Sequence, residues 1–191
     1  TLFFIFFFLL FTIHYSLFTV SAETTIRVLL ADGKNFKIPN KNERIEKFGN
    51  AKGDVLLNGL KYSGIIEAWK GENSLYIINE IPLEDYIKGV VAAEMGSRWD
   101  MEALKAQAVV ARTFALYQKL NNGKKPYHLT SSVLHQVYKG GSVHENISRA
   151  VNETKGEILT FEGKPIIAYY HSTSGGMTED PSEVFGKSYP Y

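Results

Sequence analysis

The residue best placed to do chemistry in this sequence is a carboxylate, Glu94, set in the apolar stretch Gly89-Val90-Val91-Ala92-Ala93-Glu94-Met95-Gly96. A carboxyl group in such surroundings is expected to be desolvated, which favours the protonated form that a general acid needs. A Glu that ends a helix and points into water is the competing reading of the same residues. Shortly after it, an alanine-rich segment carries Lys105, Gln107 and Arg112 across an otherwise apolar surface. Lys105 and Arg112 lie two helical turns apart and share a face. They read either as donors aimed into a groove or as ordinary cations on a solvated face. Farther on, His171-Ser172-Thr173-Ser174-Gly175-Gly176-Met177-Thr178-Glu179 gathers hydroxyls and paired glycines. Gly175 and Gly176 would let the backbone come close to a ligand and offer N–H groups, although simple turn chemistry yields the same composition.

These residues need elements to hold them. Pro82 followed by Glu84 and Asp85 suits a helix N-terminus, because proline lacks the donor that would go unpaired there and acids favour the positive dipole end. The helix is expected to run to Met95, with Gly96 as its left-handed closing residue. Glu94 then sits in the last turn, where the dipole also disfavours an anion. Asp100 caps a second helix, from Met101 to about Leu120, stopped by Asn121-Asn122-Gly123. A short helix is expected from Glu145 to Lys155. Upstream, Ile26–Leu30, Val55–Leu57, Tyr62–Trp69 and Leu75–Asn79 alternate or run apolar with β-branched and aromatic residues, separated by Asn58-Gly59 and Gly71-Glu72-Asn73. That is the pattern of strands and hairpin turns. The stretch from Asp32 to Asn50 reads as polar and irregular. Downstream, Glu157–Phe161 and Pro165–His171 read as a hairpin around Glu162-Gly163-Lys164. The fold class expected is α+β: an antiparallel β unit over 23–80, followed by a mixed region over 81–191 built around two consecutive helices and a C-terminal hairpin.

The start of the chain is of another kind. Leu2 to Val20 is almost uninterruptedly apolar, holds no Lys, Arg, Asp or Glu, and closes on Val20-Ser21-Ala22, small residues of the sort a signal peptidase reads. Residues 1–22 are therefore expected to be a signal peptide truncated at its start. An uncleaved membrane anchor competes, because the run is long enough to span a bilayer. Either reading makes the remainder extracytoplasmic, in the cell wall or at the membrane. That remainder holds all 21 Lys and Arg and all 20 Asp and Glu, a balance that calls for no polyanion, so nucleic acid is not expected as a partner. Cysteine is absent, which suits a bacterial envelope protein better than a disulfide-stapled secreted domain. No cofactor and no metal are expected, since His128, His135 and His144 are spaced too loosely for a ligand set.

Taken in order, several segments resemble the SpoIID/LytB family of stage II sporulation protein D and amidase-enhancer proteins. They are Ile-Asn-Glu-Ile-Pro-Leu-Glu-Asp-Tyr-Ile-Lys-Gly-Val-Val from Ile78, Ala93-Glu94-Met95, Trp99, Glu102 to Val109, Ala111 to Ala115, Gln136 to Gly140, Ala150-Val151 with Thr154-Lys155-Gly156, and Tyr169 to Glu179. The resemblance begins at Ile26, is strongest from Glu80 to Tyr191, and is expected to stop short of the family's usual C-terminus. It implies a peptidoglycan lytic transglycosylase that cleaves the MurNAc–GlcNAc bond, in sporulating relatives on glycan strands stripped of stem peptides. It implies Glu94 as the catalytic acid, and Lys105, Tyr170 and Ser174 as residues needed for activity. Gln107 and Arg112 fall in the same matched helix and join the expected substrate-binding set. The cysteine-containing zinc site of some sporulation members cannot be present in the same form.

On this reading one carboxyl group is enough, because the substrate's 6-hydroxyl replaces the activated water of ordinary glycosidases, which use two carboxylates. Three alternatives stand beside it. Glu179 or Asp180 would be the second acid if the reaction were hydrolysis. The same groove would serve a non-catalytic glycan-binding enhancer of a cell-wall amidase, with Glu94 as a hydrogen-bond acceptor. The chain would otherwise be a scaffold among envelope proteins. The expected partners are accordingly peptidoglycan glycan strands, a cell-wall amidase or other envelope proteins.

Overall fold

The computed structural model describes residues 24–30, 39, 43–72, 74–171 and 175–191. The expected signal peptide and Ser174 lie outside the described residues. Among them, no helix is long and apolar enough to cross a membrane.

The elements follow the α+β class. Strands β1 (Thr25–Leu29), β2 (Glu46–Lys52), β3 (Val55–Leu57), β4 (Leu60–Tyr62), β5 (Ile65–Lys70) and β6 (Leu75–Pro82) come first. Helices α1 (Leu83–Glu94) and α2 (Met101–Asn122) follow, then β7 (Leu129–Thr130), α3 (Glu145–Glu153), the short β8 (Thr160–Phe161) and β9 (Lys164–Pro165), and α4 (Pro181–Phe185). Five strands form one sheet in the order β2-β5-β6-β1-β7, antiparallel except for the β1–β7 pair.

Side-chain alternation gives the sheet two different faces. Ile26, Val28, Ile66, Ile77 and Ile81 join Tyr86, Ile87, Val90 and Val91 of α1, Leu104, Ala108 and Ala111 of α2, and Ile147, Ala150 and Val151 of α3 in the main core. The opposite face carries a smaller cluster of Leu29, Tyr76 and Ile78, with Trp69 packed against it. Beside that cluster Glu67 is only 4% exposed. It is bonded by Arg27, by Lys47 Nζ at 2.6 Å and by Trp69 Nε1 at 2.9 Å. Burial would raise the pKa of Glu67, but the bonds from Lys47, Arg27 and Trp69 together hold it below the usual carboxylate range.

Three local readings differ from the expectation. The stretch read as polar, Asp32 to Asn50, runs into β2, an edge strand exposed along almost its whole length, so it shows no alternation for the eye to find. Tyr62–Trp69 is two strands, parted at Ser63-Gly64. The C-terminal hairpin is confined to two residues on each side. In the main core residues of β1, β5 and β6 pack with residues of all three longer helices. Strand β7 comes after α2 in the chain and pairs with β1.

Candidate functional site

Glu94 is the last residue of α1. The helix ends there because Met95 N–H and Gly96 N–H both turn back to the Val91 carbonyl, at 3.1 and 3.3 Å, with Gly96 in the left-handed region at φ 78°. The residue is exposed, so the desolvation expected from its apolar neighbours is not found. Ala92 and Ala93 are themselves only half-buried, and the fully buried Val90 and Val91 lie one turn back.

What the structure supplies instead is orientation. Glu94 Oε1 accepts the Val137 backbone N–H at 2.8 Å and the Tyr170 hydroxyl at 3.3 Å. These partners come from two separate segments, 43 and 76 positions away. Among the described residues the bonds that hold the carboxyl group both reach Oε1. Tyr170 is half-buried. Burial, then the neighbouring Glu94 carboxylate, pushes its phenol well above the usual range, while the Gln136 amide offsets part of that. Tyr170 therefore stays a donor across the working pH range.

The segment that brings Val137 to Glu94 is held over α1 by aromatic packing and buried bonds. The Tyr138 ring lies against Tyr86 at 4.9 Å between centroids, and its hydroxyl donates to Asn79 Oδ1 at 2.9 Å. It also presses on the helix at Gly89, where a Cβ would stand 2.6 Å from the ring, so only glycine admits it. Next to it Gln136 is fully buried. Its Nε2 donates to the Ala111 carbonyl at 3.1 Å, and its Oε1 accepts from the Tyr86 hydroxyl at 3.1 Å. Burial first, then Tyr170, Tyr138 and Glu94, keep the Tyr86 phenol well above its ordinary pKa.

Three of the other expected site residues, Lys105, Gln107 and Arg112, stand in α2. Arg112 is not a groove donor: it is 0% exposed and forms a two-pronged pair with Glu84, Nε–Oε1 at 3.0 Å and Nη2–Oε2 at 2.8 Å. Its remaining donors go to carbonyls of Glu157, Val151 and Ala108. Lys105 spans α2 and α3, with Nζ 2.9 Å from Glu102 and 2.8 Å from Glu153. Those two bonds, Glu153 first, raise its pKa above the ordinary value. Gln107 is half-buried, and its Nε2 is buried with no partner among the described residues. Gly175 and Gly176 are exposed at φ 64° and 108°, with nothing described within 4 Å of a Cβ at either.

The candidate second acids stand at the start of α4. Asp180 caps α4, its Oδ1 accepting Ser182 N–H at 2.7 Å and Ser182 Oγ–H at 2.6 Å, which lowers its pKa. Glu179 is exposed. Each of the three spaced histidines has local work: His128 Nδ1 accepts Arg27 N–H at 3.0 Å, His135 Nδ1 is bonded to the Thr130 hydroxyl at 2.8 Å, and His144 caps α3. Among the described residues no set of three or more His, Asp or Glu gathers as metal ligands. What sequence reasoning missed at this site is Gln136, Tyr86 and the Val137 amide. The signal that could have found them was the resemblance, since Tyr86 lies in the matched segment from Ile78 and Gln136 and Val137 lie in Gln136 to Gly140.

Residues 71–161 match the SpoIID family, described as Stage II sporulation protein. The stretch contains Tyr86, Glu94, Lys105, Gln107, Arg112, Gln136 and Val137, and Tyr170 lies beyond it. An uncharacterized protein of Brachyspira hyodysenteriae is 40% identical over 137 residues, covering 71% of this chain and 37% of that protein. The amidase enhancer of Bacillus subtilis is 41% identical over 105 residues, covering 55% of this chain and 14% of its own length. Stage II sporulation protein D of Bacillus amyloliquefaciens is 39% identical over 134 residues, covering 62% and 39% respectively. The chain thus spans less than two fifths of each of these relatives.

Proposed function

Because this chain belongs to the SpoIID/LytB family, we propose that it is an exported lytic transglycosylase that cleaves the MurNAc–GlcNAc bond of peptidoglycan, on glycan strands with or without stem peptides. The observation that carries the reading is the exposed carboxyl group of Glu94, oriented through Oε1 by Val137 and Tyr170. In the acid form Oε2 carries the proton while Oε1, as the carbonyl oxygen, accepts both bonds. The proton passes to the bridging oxygen as the anomeric C–O bond breaks. The carboxylate so formed takes the proton of the muramyl 6-hydroxyl as that oxygen closes on the anomeric carbon. The product is a 1,6-anhydro end, and Glu94 returns to its starting state. A glycan strand laid over the exposed carboxyl excludes the water that now reaches it, which favours the protonated form. Asp180 is committed to capping α4, which supports one acid rather than the pair of a hydrolase.

The printed name of the Bacillus subtilis relative favours a second reading, in which the groove grips glycan and stimulates a separate amidase. Glu94→Gln separates the two, since it keeps the shape and acceptor and removes the transferable proton. Denuded and peptide-bearing strands are incubated with each protein, and anhydro ends are counted by mass spectrometry. Under the first reading the variant binds glycan as before and turns over at least about 10²-fold more slowly. Equal turnover by the two proteins would leave the enhancer reading.

A further inference from the structure

We propose that Gln136 is the positioning residue of this site, setting the Val137 hydrogen bond that orients Glu94. The inference rests on the reading of Glu94 as the acid, but its structural part stands separately. The two donors to Oε1 come from different segments, and the shorter of the two bonds belongs to the residue next to Gln136. The Gln136 backbone carries straight into the Val137 amide, 2.8 Å from Oε1.

Gln136 is itself anchored twice, on helices α1 and α2. Nε2 donates to the Ala111 carbonyl of α2, and Oε1 accepts from Tyr86 of α1, the helix that ends in Glu94. An amide is the group that can do this, because it offers a donor and an acceptor on one planar unit. It is 0% exposed, so each of its polar atoms must find a protein partner, and the conformation that satisfies them is singular. A loop so pinned places the Val137 N–H on Oε1 and leaves the other oxygen to the substrate. Shifting that donor turns the carboxyl plane away from the bridging oxygen. Gln136 touches no substrate in this scheme and acts through Glu94.

The experiment uses Gln136→Met, which keeps length and volume and removes both amide bonds, with Tyr86→Phe as a milder change that removes one of them. Two measurements are made. The first is the pH titration of the Val137 amide resonance, which in the parent protein follows Glu94 and in Glu94→Gln does not. The second is kcat and KM for anhydro-end formation. Positioning by Gln136 requires that Gln136→Met lose most of the pH-dependent shift at Val137 and about tenfold or more in kcat, with KM within about twofold. Tyr86→Phe should show the same pattern at smaller size, and it decides the matter if the methionine variant does not fold. An unaltered Val137 titration in whichever variant folds overturns the proposal. So does a fall in activity that only follows the folded fraction. A parent protein that cleaves no glycan refutes the acid assignment and not the positioning, because the amide titration is read without substrate.

Discussion

Replacing Arg112 by methionine tests whether this cation serves a substrate or the core. Its guanidinium is 0% exposed, while the side chain of its partner Glu84 keeps 20%. Truncating one partner of such a pair leaves the other as an uncompensated charge in a poorly solvated site, at a cost of about 3–5 kcal/mol. The carbonyls of Val151 and Glu157 lose their donor as well. Methionine returns some apolar contact, so the middle of that range, about 4 kcal/mol, is the expected loss. For a folded region of this size that corresponds to a fall of roughly 8–16 °C in the thermal midpoint. Adding Glu84→Gln removes the stranded charge and should restore part of the loss, because a buried pair replaced as a whole is far less costly than one broken. Urea and thermal unfolding of the four proteins in that cycle give the energies, and cleavage per folded molecule gives the function. A midpoint within about 3 °C of the parent, together with abolished cleavage, would refute the structural assignment and return Arg112 to the groove.

Lys105→Ala should leave the thermal midpoint unchanged within error, since exposed ion pairs add little to stability. It should nevertheless slow glycan cleavage, as the resemblance implies, and unaltered kcat and KM would confine Lys105 to bridging α2 and α3. His128 concerns pH rather than substrate. Burial, then Lys119 and Arg27, lower its pKa from 6.5 to about 4, and its unprotonated Nδ1 accepts the Arg27 amide. Because the folded pKa is the depressed one, the neutral ring contributes stability fully above pH 6.5 and loses it as pH falls towards the folded value. The loss should reach about 2–3 kcal/mol near pH 4.5. In His128→Asn, whose amide oxygen can take the place of Nδ1, that part of the acid sensitivity should vanish. Parallel stability–pH curves for the two proteins between pH 7 and 4.5 would exclude His128 as its source.

The parts of the fold legible in the sequence are those where one local signal decides. Pro82 with Glu84 and Asp85 marks the start of α1, and Asp100 accepts the Glu102 amide to begin α2. Strand β2 gave no such signal because neither of its faces is buried, so an edge strand and a polar loop look alike in composition. Arg112 shows the same limit in another form. An alanine-rich helix presents small side chains to a groove and to a core alike, and nothing within one or two turns says which. What decides is Glu84, 28 positions earlier, whose carboxylate had a sufficient local explanation at the positive end of α1.

Glu94 was legible as a residue, and its environment was not. The apolar neighbours that suggest desolvation are apolar because α1 packs into the core one turn earlier, and the helix has emerged by the time it reaches the carboxyl group. A general acid at an exposed helix end depends on being aimed rather than on being buried before substrate arrives. The aiming comes from residues that local reading has no reason to select: a backbone amide at Val137, and a glutamine whose two anchors lie 25 and 50 positions away. Glutamine in a loop is ordinary in composition. It acquires meaning only when the loop is folded under and the amide, cut off from water, must spend its donor on one helix and its acceptor on another. Polar residues in predicted loops that border an apolar run are therefore the positions where sequence reasoning about an active site is weakest, and where a single buried bond most changes the assignment of roles.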